Sequence, residues 1–224
     1  TIDVLAASDI AMVDGATATT NNGDVRYQAV AGNLTLGEVI AGTGKAALLA
    51  DAGSIVDAAS DTSTVDVTAA GLVMSAGLNI GTGADPIETS VDTLATSSGG
   101  AAGTFVFESS ALTVDSLTVT VNRIGTNAAV ASSPAVTLAD LDATNGGAIV
   151  LKTGGSLTLN EGDADTRVVR AVGAGAGSKA SPRSAPRPAC PPARPLRPER
   201  PRPPWRSRGS QAAGGAPRRR SGAR

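Results

Sequence analysis

Ala47-Leu48-Leu49-Ala50-Asp51-Ala52-Gly53-Ser54-Ile55 and Ile149-Val150-Leu151-Lys152-Thr153-Gly154-Gly155-Ser156-Leu157 are one pattern written twice, with Leu, Gly and Ser in identical places. Phe105-Val106-Phe107-Glu108-Ser109-Ser110-Ala111-Leu112-Thr113 repeats it with one residue fewer, and Leu72-Val73-Met74-Ser75-Ala76-Gly77-Leu78 gives a shorter version. The unit is strand, small-residue corner, strand. The residues that open its second strand are Leu34, Ile55, Leu78, Leu112 and Leu157, separated by 21, 23, 34 and 45 positions. The first two spacings match one coil of a stacked solenoid, and the longer ones call for insertions or a second coil between.

The local pattern has a period of two. Leu117-Thr118-Val119-Thr120-Val121 puts three aliphatic groups on one face and two hydroxyls on the other, as a strand with one wet side requires. The same alternation occurs in Leu34-Thr35-Leu36, Val65-Asp66-Val67, Leu78-Asn79-Ile80, Leu112-Thr113-Val114 and Leu157-Thr158-Leu159, each bounded by Gly, Asn, Asp or Ser. In Gly44 to Ala59 apolar residues are dense, but Gly53-Ser54 interrupts them and Ile55-Val56 is β-branched, so two short strands are expected rather than a helix.

The composition agrees with stacked coils. The 224 residues include 27 Gly and only four aromatic side chains, Tyr27, Phe105, Phe107 and Trp205. Ala, Val, Leu and Ile can fill a narrow interior without aromatics when each coil covers the one below, so stacked coils explain the composition better than a sandwich, the structural alternative. With no His and one Cys, the chain has no Ser/His/Asp or Cys/His pair, no imidazole metal site, no internal disulfide and no thiolate zinc cage. No run reaches the ~18 apolar residues of a spanning helix. The sequence starts at Thr1 without a basic n-region or apolar h-region, and it is read as part of something longer.

The net charge of -1 conceals two vocabularies. From Lys179 onward there are 13 Lys or Arg and one acid, Glu199; before it stand 6 basic and 19 acidic residues. Residues 171–224 contain 12 Arg and 11 Pro, residues 1–170 only 4 Arg and 2 Pro. The division expected is a β-solenoid repeat region over 1–170 and a disordered Arg/Pro/Ala/Gly-rich tail over 171–224, because proline and charge deny such a segment a core. Ala, Gly and Pro have only codons that begin with two G or C bases, so a GC-rich gene read out of frame would yield this tail. A true basic tail, or a nucleic-acid segment using Trp205 to stack, is the alternative. No specific nucleic-acid partner is assigned, and Cys190 reads as an incidental thiol.

Gly32-Asn33-Leu34-Thr35-Leu36, the run from Gly77 to Leu94, Ala111-Leu112-Thr113-Val114 and Gly147-Ala148-Ile149-Val150-Leu151 together resemble the repeats of very large filamentous-haemagglutinin-like bacterial surface proteins, over most of residues 24 to 160. The resemblance implies a right-handed parallel β-helix that is secreted or held at the bacterial cell surface and serves as an adhesin or stalk. Its partners would be a host or cell-surface receptor or glycan, and flanking repeats of the same longer chain.

Known chemistries find little purchase. Gly42-Thr43-Gly44-Lys45-Ala46 is similar to the end of a phosphate loop, but Val39 stands where the first Gly is required and Ala46 where the Mg²⁺-binding hydroxyl should be, so a glycine corner with a solvated Lys is expected. Gly173-Ala174-Gly175-Ala176-Gly177 has the wrong spacing for a dinucleotide fingerprint. Asn33-Leu34-Thr35 fits a glycosylation sequon, but its Leu34 belongs to a strand. Glu161-Gly162-Asp163-Ala164-Asp165 offers hard oxygen donors at alternate positions that could join a Ca²⁺ site, although solvated acidic loops are commoner. Polysaccharide lyases and hydrolases on β-helices are the enzyme alternative. They want aromatic platforms; Phe105 and Phe107 share one face of a strand, where core packing is expected, and neither Arg26 nor Arg123 is grouped with carboxylates by spacing. The reading is therefore non-catalytic: no catalytic, cofactor-binding or metal-binding residue is named, and no cofactor.

Overall fold

The computed structural model describes residues 1–59, 64–125 and 129–173, so the expectations for the tail lie outside the described residues. Contacts gather Thr1–Lys179 into one compact unit. Its described residues form twenty strands and no helix, and thirteen of the strands join one large parallel sheet. The chain is all-β, as its period-two segments require, and the arrangement is compatible with stacked coils. Gly44 to Ala59 does divide into two strands, Lys45–Ala50 and Ile55–Asp57. The last described strand, Val169–Ala171, crosses the expected boundary at 170.

The main path runs through Ile2–Ala6, Val25–Ala29, Lys45–Ala50, Val67–Ala76, Ile87–Ser98, Gly103–Glu108 and Ala148–Thr153, each beside the next. In-register pairing turns the alternation of each strand into columns. Val25, Ala46, Leu72, Leu94 and Val114 stand opposite one another in successive layers. None of the five is exposed. A second column holds Leu34, Ile55 and Ile80, also fully buried. Each of the larger aliphatic side chains so placed contributes roughly 1.5–3 kcal/mol.

Side chains at the corners satisfy the backbone of the next layer. Asp9 Oδ1 accepts from Asn33 N at 2.7 Å and Asn33 Oδ1 from Ser54 N at 2.8 Å. Asn79 Oδ1 accepts from both Ala102 N and Gly103 N at 3.0 Å. Small residues are needed here because the layers nearly touch: a Cβ on Gly53 would run into the carbonyl oxygen of Gly32.

The structure changes the stacking phase read from the repeats. Leu34 pairs with Ile55 and Leu112 with Leu157, as the spacing indicates. However, Ile55 pairs with Ile80 rather than Leu78, which is 47 % exposed. Ile149 sits opposite Thr104, which bridges to Ile80, so it belongs to the column of Ile55 and not to that of Ala47. The physical reason is that every layer contains more than one strand-corner-strand passage. Segments that look alike therefore occupy different faces of the coil.

Leu117–Thr120 is sided as expected: Leu117, Val119 and Val121 are buried and Thr118 and Thr120 exposed. Its partner is a surprise. It pairs antiparallel with Ala135–Leu138, forming a hairpin outside the parallel sheet. Leu117 and Val119, with Val136 and Leu138, pack on Ala47, Val73 and Ala95, a second apolar cluster on the outer face of the main strands. Gly71 admits the hairpin, since a Cβ there would lie 2.9 Å from the Leu117 methyls. This excursion accounts for the spacing of 45: Phe105 stacks on Val150 and Leu112 on Leu157, with the hairpin between the two layers in sequence.

Candidate functional site

The strongest concentration of unusual chemistry lies where the strands Val67–Ala76 and Ile87–Ser98 begin. Val67 stands opposite Thr89, which places Asp66 and Glu88 in adjacent rows, and Glu88 N donates to Asp66 Oδ2 at 2.9 Å. Asp57, at the end of Ile55–Asp57, completes the group. One carboxylate oxygen from each of Asp57, Asp66 and Glu88 lies within 4.8 Å of the others. Their exposures are only 8 %, 3 % and 2 %.

Burial removes these carboxylates from water, and they repel one another. Burial pushes the Asp66 carboxyl up to about 8, helped by the Asp57 and Glu88 charges and opposed by the backbone N–H of Glu88. Burial first, and then the charge of Asp57, raises Glu88 to about 7. Partners are unequally distributed. Asp57 Oδ1 accepts from Ala59 N at 3.0 Å and Asp66 Oδ2 from Glu88 N, whereas both oxygens of Glu88 are buried without a hydrogen-bond partner. A cavity of about 280 Å³, lined by Asp14, Glu38, Asp57 and Asp66 among others, opens beside the group.

Glu88 also borders a second feature, an open groove of about 530 Å³ with Pro86, Phe105, Phe107, Val150 and Lys152. Here the structure corrects the sequence reading. Phe105 and Phe107 are half-buried on the outer face of Gly103–Glu108, and it is Val106 that enters the core. The two rings share a face, but the outward one. Glu88 pairs with Phe107 and Phe107 with Lys152 across successive strands, and the Lys152 ammonium lies 4.7 Å from the Phe107 ring centre, in cation–π range.

The other sequence candidates are placed as follows. Of Glu161, Asp163 and Asp165, the last two come together with Asp140 in place of Glu161. Asp163 and Asp165 accept from backbone N–H groups of their own loop, Asp165 N and Arg167 N, and Asp140 accepts from Gly162 N at 3.1 Å. Gly42-Thr43-Gly44 is a corner, with Gly42 in the left-handed region at φ 61°. Lys45 is not a purely solvated cation, since its Nζ donates to the Thr118 carbonyl at 3.2 Å. Arg26 and Arg123, which no spacing tied to an acid, both reach Asp3.

Reading the sequence missed Asp57, Asp66 and Glu88. The usable signal was the 22-residue separation of Asp66 and Glu88, one layer apart, with Asp66 just ahead of one strand and Glu88 at the start of the next. Comparison of the chain with family models, curated proteins and solved structures returns no match.

Proposed function

We propose that this chain is a non-catalytic structural and adhesive segment of a right-handed parallel β-helix, within a large secreted or surface-held protein of the filamentous-haemagglutinin type. The observation that carries the reading is the run of in-register columns whose outer layers still present apolar side chains. Val4 and Leu5 are exposed on the first strand of the path, and Val150, Leu157, Leu159 and Val169 on the last layer. Strand edges that are unpaired among the described residues and carry aliphatic groups are what further layers of the same kind would cover. Right-handedness is supported by the general rule that parallel crossover connections take that hand.

The second reading, a carbohydrate-active β-helix enzyme, is favoured by one observation, the outward Phe105 and Phe107 beside Lys152 and Glu88. Aromatic faces and a cation are what a groove for sugars, acidic ones included, would present. One experiment separates the two. The full chain is applied to an array of neutral and acidic polysaccharides, and each polymer is then assayed for new reducing ends and unsaturated sugar. Retention without product, weakened by Phe107→Ala, supports adhesion. Reproducible product overturns it in favour of the enzyme.

A further inference from the structure

Asp57, Asp66 and Glu88 present a problem that the adhesive reading does not address. The fold shows nearby how it accommodates a buried carboxylate. Glu108, fully buried on the adjoining strand, accepts from Thr89 Oγ1 at 2.8 Å and Val91 N at 2.9 Å through Oε2, and from Ser110 N at 2.8 Å and Ser110 Oγ at 2.7 Å through Oε1. Glu88, one strand away and also buried, has no such set of donors; what its oxygens face is two more carboxyl groups, so that in the absence of a cation only a shared proton is at hand. An acidic cluster alone is commonplace. A buried, unpartnered glutamate aimed into one is a group whose partner is of another kind.

We propose that Asp57, Asp66 and Glu88 are ligands of a calcium ion. All three donors are hard carboxylate oxygens, the set that suits calcium or magnesium. Calcium takes ligands at about 2.3–2.6 Å, so two oxygens on one ion can stand almost twice that far apart, and three oxygens all within 4.8 Å of one another have the spacing of one ion's shell. Calcium's larger and irregular shell suits three carboxylates fixed by separate strands better than magnesium's strict octahedron at about 2.0–2.1 Å. The adjoining cavity, with Asp14 and Glu38 on its wall, supplies an acidic entrance and room for the waters that complete a six- to eight-fold shell. The ion would join three segments: the end of Ile55–Asp57, the approach to Val67–Ala76 and the start of Ile87–Ser98. The second acidic group, Asp140, Asp163 and Asp165, offers no comparable orphaned side chain and is a control.

The test is calcium binding by the full chain. Isothermal titration with CaCl2 after EDTA treatment should show an ion bound, and millimolar CaCl2 should raise the melting temperature over that in EDTA by about 5 °C or more. Glu88→Gln and Asp66→Asn, which remove charge and keep shape, should melt higher than the parent in EDTA and lose the calcium-dependent rise. Asp163→Asn should keep the full rise. Absence of both heat and rise in the parent overturns the proposal, as does a rise that survives both Glu88→Gln and Asp66→Asn or one abolished by Asp163→Asn. Should either neutral variant fail to fold, the other variant and the titration of the parent decide.

Discussion

Arg123 grips Asp3 through two donors, Nε at 2.7 Å and Nη2 at 3.1 Å, across 120 residues of chain. Asp3 lies in the first strand of the main path and Arg123 follows Leu117–Thr120, so the pair fastens the outer hairpin region to the first layer. Arg26, almost wholly buried, approaches the same carboxylate at 3.4 Å. Arg123→Ala should therefore cost about 1.5–3 kcal/mol, the range for hydrogen bonds to a charged group. Hydrogen exchange should rise in Leu117–Thr120 and Ala135–Leu138 ahead of the main strands. Equal exchange in parent and variant would show that the hairpin holds through its apolar contacts alone.

The two faces of Leu117–Thr120 make a sharper comparison. Val119 is buried against the cluster of Ala47, Val73 and Ala95, and Thr118 points outward with its hydroxyl 2.8 Å from that of Thr137. Val119→Asp buries an unpaired carboxylate and should cost several kcal/mol, while Thr118→Asp should cost under about 1 kcal/mol. Chemical denaturation of both variants measures the difference.

In EDTA the stability should depend on pH with an unusual sign. Asp66 and Glu88 are held up at about 8 and about 7, above the ordinary carboxyl range, with Asp57 and Asp85 among the charges beside Glu88. Folded protein keeps protons there that the unfolded chain releases, so stability is highest below the unfolded values and falls as pH rises towards the folded ones. The melting temperature should drop between about pH 5 and about pH 8, and Asp66→Asn should flatten the slope. A rise over that interval would refute the placement of these carboxyls.

Gly53→Ala tests the corners. The added methyl meets the Gly32 carbonyl, which is backbone and cannot swing aside. A loss of about 1–3 kcal/mol is expected from overpacking, whereas Gly173→Ala, with open space around it, should be neutral. Thermal melts of the two variants settle it.

How much of this was legible in the sequence depends on range. The alternation in Leu117-Thr118-Val119 fixes which side chains are buried, because it is a local property of an extended chain. Which strand lies beside it is not local, and the antiparallel Ala135–Leu138 could not be told from another parallel layer. The equivalence of Ala47–Ile55 and Ile149–Leu157 is real as a pattern but does not carry the phase of the coil. Phe105 and Phe107 were correctly placed on one face, yet which face met the core depended on Val106. The acidic group was missed because its members come from three segments that the register brings together, and the one-layer spacing of Asp66 and Glu88 was its only trace in the sequence.

The spacing of 45 between Phe105 and Val150 has a mechanical consequence. These residues are neighbours in the ladder, so tension applied along the stack passes from one strand to the next through backbone hydrogen bonds and bypasses the long excursion between them. The outward residues of the excursion can therefore vary while the ladder stays intact, provided that Leu117 and Val119 keep their seat on Ala47, Val73 and Ala95 and Arg123 its hold on Asp3. In a molecule built by repetition, that outward face is where variety can accumulate without weakening the whole.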